Sequence, residues 1–151
     1  MTQLQAIRKF ASDVAEHKVI IAKKRMENNW GMGVYPYEPD EMRMYIPSDL
    51  NYEPNENDYE FRRDFVARYN PAQGFANVTL AILHEIGHFK TQYDGHAQIT
   101  FWRNRNKVFN NQKKYMLQEN ERRATDWAIQ WLYDPEHRRL AKQFEKEYFG
   151  Y

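Results

Sequence analysis

The first stretch of the chain carries an amphipathic helical pattern. Apolar residues recur at three- and four-residue intervals from Leu4 to Val14, which places them on one face of an α-helix. Thr2 and Gln5 have the types and spacing of a capping box, so the helix is expected to begin directly after Thr2. The stripe can be followed to Ile21, and we therefore expect a packing helix that extends that far.

The pattern changes over residues 30–75, where it predicts strands and turns. Prolines interrupt this segment and exclude long helices; they are Pro36, Pro39, Pro47, Pro54 and Pro71. Residues 42–46 alternate in side-chain type, as the residues of a half-buried strand do. A second strand is predicted at residues 61–69.

A strongly apolar stretch follows at residues 75–90. Its apolar side chains lie nearly all round the predicted helix, which is typical of a buried helix. Farther along, the pattern is helical over about residues 118–133. Asp134 and Pro135 interrupt it, and a last helix is predicted over residues 136–149.

Composition narrows the chemistry that this pattern can support. The chain has 151 residues, which suits one domain over residues 1–151. It contains no cysteine, so disulfides and thiol nucleophiles are excluded, and any metal site must use His, Asp or Glu. The net charge of +1 argues against wholesale electrostatic binding of nucleic acid. With no signal or membrane-spanning run visible, we expect a cytoplasmic protein with no membrane partner.

Three ionisable residues interrupt the apolar helix at 75–90: His84, Glu85 and His88, in the pattern His-Glu-x-x-His. Because residues four apart lie on one helix face, both imidazoles can reach one ion. Glu85 follows the first histidine directly and is placed to take a proton from a zinc-activated water. Ionisable groups on an apolar helix are costly unless they are paired or bind metal, so we predict a zinc site rather than two core histidines. Gly87 lowers helix propensity and indicates that another backbone or a substrate comes close there.

A catalytic zinc ion usually has three protein ligands, so a third is expected downstream. The metzincin extension fails, since Thr91 and Asp94 stand where it requires Gly and His. Glu121 is favoured, because it begins the core-facing stripe of the next helix, where an unpaired carboxylate is costly. Glu119 lies about 160° away around that helix and is expected to face solvent. His96 is a weaker candidate.

Two motifs together resemble the ImmA/IrrE family of zinc metallopeptidases: HEIGH at 84–88 and ERRATDWA at 121–128. The family's second motif is typically Glu-x-x-Ala-Asn-x-Phe-Ala, and the resemblance covers about residues 75–132. It implies a zincin-like α+β fold, mainly helical, with a small β-sheet packed on the HExxH helix. It also implies a set of site residues, in which the zinc ligands are His84, His88 and Glu121 and the catalytic acid/base is Glu85.

The second motif departs from the family pattern at positions that bear on the site. Thr125 stands where Asn is usual, and Trp127 stands where Phe is usual. We expect Thr125 to be a weaker hydrogen-bond partner for a metal ligand, and Asp126 to substitute as the orienting residue.

The reaction expected of these residues is hydrolysis of a peptide bond. Glu85 takes a proton from the attacking water and delivers it to the leaving amine. His96 and Tyr93 rank first as donors to the oxyanion, because they are close in sequence to the motif. The strand predicted at 61–69 is the candidate for aligning an extended peptide by strand addition. Since members of the family cleave transcriptional repressors, the resemblance implies a protein substrate of the DNA-binding repressor class.

Two other functions compete with this one. Residues 101–114 carry five basic residues among aromatic ones, a composition that can bind nucleic acid, so a zincin acting on DNA-associated proteins is one alternative. A solvated helix face is the simpler interpretation of that stretch. The other alternative is a catalytically silent, zinc-binding interaction domain of a mobile-element or toxin–antitoxin system. An intact Glu85 argues against it, whereas a fourth ligand such as His96 would favour it.

Overall fold

The computed structural model describes residues 1–23, 31–35, 38–54, 56–92 and 110–151. In chain order these residues form α1 (Gln3–Ala15), β1 (Val19–Lys23), β2 (Gly31–Tyr35), β3 (Glu38–Ile46), α2 (Glu56–Arg68), a 3-10 helix (Asn70–Gly74), α3 (Asn77–Gln92), α4 (Asn110–Leu132) and α5 (Pro135–Phe149). The expected α+β class, mainly helical with a small sheet, is therefore confirmed.

Helix α1 begins where the sequence predicts and ends earlier. The Thr2 hydroxyl accepts a hydrogen bond from the Gln5 amide at 3.1 Å, and the Gln5 side chain accepts one from the Thr2 amide at 2.8 Å, which completes the capping box. The helix ends at Ala15 because Glu16 takes a left-handed conformation, with φ at 52°. The expected extension to Ile21 is wrong, since the β-branched residues there pair in β1 instead.

The strands of the described chain form one mixed sheet in the order β1–β3–β2. β1 runs parallel to β3, with Val19 opposite Met42, and β2 runs antiparallel to β3. Along β3, Met42, Met44 and Ile46 are fully buried, while the residues between them are half-buried. This alternation confirms the strand predicted at 42–46 and gives the sheet a core-facing side.

The strand predicted at residues 61–69 is wrong, because this segment lies in helix α2 and the turn that follows it. Phe61 and Phe65 are one helical turn apart, and their ring centroids are separated by 5.8 Å. Phe65 is fully buried, and acidic residues in the first turn together with Arg68 in the last suit the helix dipole. The four-residue spacing of the aromatic residues is therefore the informative signal in this segment.

Side chains from α2 and α5 hold the start of α3. The buried carboxylate of Glu145 accepts hydrogen bonds from the Ala76 amide and from the Thr79 hydroxyl, both at 2.6 Å. Arg62 donates hydrogen bonds to acceptors at and just before this start, which are the carbonyls of Gln73 and Phe75 and the side-chain oxygen of Asn77. Because the first turn of a helix leaves N–H groups without helical partners, Glu145 acts as a cap supplied by another helix.

Helix α3 is buried, as the pattern at 75–90 predicts. Leu80, Ile82, Leu83 and Ile86 are inaccessible to solvent. The helix packs most extensively against α4, and it also contacts α1, α2, α5 and β2. The small sheet therefore lies against the helix that carries the His-Glu-x-x-His pattern.

The last two helices agree with the sequence pattern except at one boundary. α4 begins at Asn110 rather than near residue 118. Asp134 caps α5 by accepting a hydrogen bond from the Glu136 amide at 2.9 Å, and Pro135 occupies the first turn. Within the described ranges, no helix has both the length and the hydropathy needed to cross a membrane.

Gly87 allows α3 and α4 to come into close contact. A Cβ atom placed on Gly87 would lie 3.0 Å from the Cα and carbonyl carbon of Ala124, and closer still to its carbonyl oxygen. The close backbone approach that the sequence indicates at Gly87 is thus confirmed, and the approaching backbone belongs to α4.

We expect Gly87→Ala to lower the free energy of unfolding by about 2 kcal/mol, because overpacking outweighs the gain of about 1 kcal/mol in helix propensity. Equilibrium urea denaturation measures this change. Gly74→Ala is the matched control, since the nearest atom to a Cβ there is Nζ of Lys142, at 3.9 Å. Equal stability of Gly87→Ala and wild type would contradict the close contact of the two helices.

Candidate metal centre

Two imidazoles of α3 and one carboxylate of α4 converge at the contact between these helices. Nε2 of His84 lies 2.7 Å from Oε2 of Glu121, and Nε2 of His88 lies 3.1 Å from Oε1 of the same carboxylate. The two imidazole centroids are 4.6 Å apart. Gly87 precedes His88, and its neighbour Ala124 lies one turn after Glu121, so the close helix contact is what brings the three side chains together.

The site is buried on its histidine side and open on its glutamate side. The side chains of His84 and His88 are 6% and 15% exposed, whereas that of Glu121 is 58% exposed. Phe61 of α2 packs edge-on against His84, with ring centroids 5.1 Å apart. Among the described residues, the site is therefore accessible to solvent from its glutamate side.

The two histidines hold the Glu121 carboxyl in its ionised form. Desolvation by itself would raise its pKa, but the hydrogen bonds with His84 and His88 outweigh this and hold the pKa well below its usual range. The carboxylate is therefore charged at neutral pH, and this is the form that binds a metal cation.

Thr125 contacts the other ring nitrogen of His84. The buried Thr125 hydroxyl lies 3.0 Å from Nδ1 of His84. When Nδ1 carries the proton and donates it to Thr125, Nε2 keeps the lone pair that a metal ion needs. Asp126, the expected substitute, instead forms an ion pair with Arg68 and so joins α4 to α2. The structure thus places Thr125, rather than Asp126, where an orienting residue would act.

Glu85 lies beside the histidine pair. It is 8% exposed, and a carboxylate oxygen of Glu85 lies within 4.8 Å of a ring nitrogen of both His84 and His88. These three residues form a group that could hold a metal ion. Glu121, which is within hydrogen-bond distance of both Nε2 atoms, is a second carboxylate that could complete such a group.

No family model, curated protein or solved structure matches this chain.

Several residues considered from the sequence lie outside the described part of the chain. They are Tyr93, Asp94, His96 and, from the basic and aromatic stretch at 101–114, residues 101–109. Glu119 lies in α4, two residues before Glu121. The identity of the oxyanion donor and the nucleic-acid alternative therefore stay predictions.

Two contacts that α2 makes with candidate residues were not expected from the sequence. Phe61 packs on His84, and Arg68 pairs with Asp126. Both belong to α2, which the sequence pattern placed in a strand. They are seven residues apart and so lie two turns apart on one helix face, which is the signal that could have revealed them.

Proposed function

We propose that this chain is a zinc-dependent metallopeptidase with a zincin-like fold, as its resemblance to the ImmA/IrrE family implies. One observation carries the proposal: Nε2 of His84 and Nε2 of His88 converge on the carboxylate of Glu121, with Glu85 beside them. Glu121 comes from a helix that is remote in sequence from the two histidines. Helical spacing alone brings His84 and His88 together, but it does not account for the carboxylate that meets them.

The donor set supports zinc as the metal. Two imidazole nitrogens and one carboxylate oxygen are a ligand set found in catalytic zinc sites, where a fourth position stays open. Ligand atoms of one tetrahedral zinc ion lie roughly 3.3 Å apart, given zinc–ligand bonds of about 2.0–2.1 Å. The observed separations of 2.7 and 3.1 Å, each to a different oxygen of Glu121, are slightly shorter, so His84, His88 and Glu121 would hold the ion after moving slightly apart.

The residues around this ligand set have the roles that peptide hydrolysis needs. When bound, zinc supplies a Lewis acid that polarises the scissile carbonyl and lowers the pKa of the attacking water. Glu85 accepts the proton of that water and passes it to the leaving amine nitrogen. Thr125 holds the His84 ring with Nε2 turned toward Glu121. Phe61 excludes water from the same ring.

The substrate class follows from the resemblance and from the exposed side of the site. We propose a protein substrate of the DNA-binding repressor class, cleaved in an extended segment. In place of residues 61–69, strand β2 is the proposed partner for such a segment. It is an edge strand of the described sheet, and it contacts α3.

Elemental analysis of the purified protein, combined with a peptidase assay, tests the proposal. We expect about one zinc ion per chain, the usual stoichiometry of a site with three protein ligands. Unfolded casein and a mixed peptide pool, analysed by mass spectrometry, report hydrolysis. We expect hydrolysis to stop when a chelator removes zinc and to return when zinc is added.

Three outcomes would contradict the proposal in different ways. Absence of bound metal, with no uptake from added zinc, would overturn the metal centre and the enzyme together. Bound zinc without hydrolysis of any peptide or protein would favour the zinc-binding interaction domain instead. Hydrolysis that persists after complete removal of zinc would assign the activity to other residues or to a contaminant.

A further inference from the structure

A small cavity lies on α3 just before the metal centre. Its volume is about 120 Å³, and its walls include Leu50, Phe61, Val78, Ala81 and Tyr148. A cavity of about 150 Å³ with apolar walls is large enough to bind benzene. The cavity here is slightly smaller, which suits one aliphatic side chain and excludes an indole ring.

The cavity and the metal centre share one face of α3. Ala81 precedes His84 by three residues and His88 by seven, and these spacings place all three on the same side of the helix. Val78 likewise precedes Glu85 by seven residues and lies on the same side of the helix as Glu85. With a rise of about 1.5 Å per residue, Ala81 lies roughly 5 Å from His84 along the helix axis.

Phe61 forms a wall common to the cavity and the metal centre. Its ring lines the cavity, and its ring centroid is 5.1 Å from that of His84. A substrate peptide bound beside His84 would therefore place its next side chain directly beyond the Phe61 ring. One extended residue spans about 3.3–3.6 Å, and the side chain that it carries covers the remaining distance into the cavity.

The walls of the cavity select against charged side chains. Its polar lining includes Tyr52, whose hydroxyl donates a hydrogen bond to Asp58 at 3.2 Å. Burial, together with this neighbouring carboxylate, raises the pKa of Tyr52 to about 12, so its hydroxyl stays neutral. Asp58 repels acidic side chains, and none of the described lining residues is a lysine or arginine that would attract them. For a basic side chain, the attraction of Asp58 is offset by the loss of hydration between the mostly apolar walls, so an uncharged, apolar side chain meets the fewest unfavourable contacts.

We propose that this cavity receives an apolar side chain of the substrate, of leucine or methionine size, from a residue next to the cleaved bond. This inference rests on the proposed peptidase function and adds a specificity site to it. Leu50, Val78 and Ala81 determine the size of the side chain that fits.

Binding of small amides to the wild-type protein tests the cavity without requiring cleavage. We expect N-acetyl-leucinamide to shift the methyl NMR signals of Leu50, Val78 and Ala81 in a saturable manner. N-acetylglycinamide, which lacks the side chain, should bind at least about ten-fold more weakly, since even one methylene group in an apolar pocket changes affinity by about ten-fold or more.

Two substitutions change the cavity in opposite directions. Ala81→Leu fills it and should abolish the shifts caused by N-acetyl-leucinamide. Leu50→Ala enlarges it and should shift the preference toward N-acetyl-phenylalaninamide, which keeps the test valid if the filling variant folds poorly. Ala67→Leu is the matched control, because Ala67 is exposed on α2 and lies outside the lining of this cavity.

A peptide pool with varied residues on both sides of the cleaved bond links the cavity to catalysis. Wild type should favour Leu or Met at one of these positions, and Ala81→Leu should reduce the ratio of kcat/KM for Leu over Ala there by at least about ten-fold. Absent methyl shifts, or equal shifts with the glycine amide, would contradict the binding of a side chain in the cavity even if the protein is an active peptidase. An unchanged cleavage preference in Ala81→Leu would do the same. Leucinamide binding to a protein that takes up no zinc and cleaves no peptide would remove the proposed function, and with it the role in specificity.

Discussion

Replacing Glu121 by alanine is expected to reduce zinc affinity by at least about 100-fold. Residues that only contact a metal ligand contribute about 10–100-fold to metal affinity, and the loss of a direct ligand exceeds that range. Glu121 is the side chain that both imidazole Nε2 atoms approach, and its carboxyl is held in the ionised form. Its removal takes away one of three donors and the negative charge that balances the cation.

Competition with a zinc-binding indicator of known affinity measures this loss, and elemental analysis gives the metal content. Thr125→Val provides a graded comparison, because it removes only the hydrogen bond to Nδ1 of His84 and should cost about 10–100-fold. Glu136→Ala is the matched control, since Glu136 is an exposed glutamate of α5 that pairs with Arg139. Full zinc affinity in Glu121→Ala would contradict the three-ligand assignment and make Glu85 the alternative third ligand.

The Glu85→Gln variant is expected to keep its zinc and to lose peptide hydrolysis by about 10²–10⁴-fold in kcat. The change preserves the shape of a side chain that is 8% exposed and removes its ability to accept a proton. Because Glu121 carries the ligand role in the proposed site, zinc affinity should change little. The measurement is kcat on a peptide identified as a wild-type substrate, with zinc content determined on the same preparation.

Glu136→Gln makes the same chemical change at an exposed position and should retain the activity and zinc content of wild type. Two results would contradict the role of Glu85. Activity close to that of wild type would show that another group moves the proton. Loss of zinc together with activity would mean that Glu85 is itself a ligand.

Local sequence patterns predict the structure correctly where the residues that form the pattern also make the stabilising contacts. The capping box at Thr2 and Gln5 and the alternation at 42–46 are both present in the structure, because their hydrogen bonds and burial depend on residues a few positions away. The prediction at 61–69 fails because its aromatic residues face the core from one side of a helix, and α3 supplies that core. The expected extension of α1 to Ile21 is wrong for a related reason, because the residues after α1 pair with β3 and form strand β1.

The sequence by itself determined the spacing of His84 and His88 on a buried helix, the glycine beside them, and the class of donor available in a chain without cysteine. Periodicity on one helix is enough to place two side chains four residues apart on one face. Only the tertiary structure decided that Glu121 meets both imidazoles, that Thr125 rather than Asp126 contacts His84, and that Phe61 walls the site. These contacts join three helices, and their formation depends on how closely α3 and α4 approach at Gly87, which no pattern within a single helix can specify.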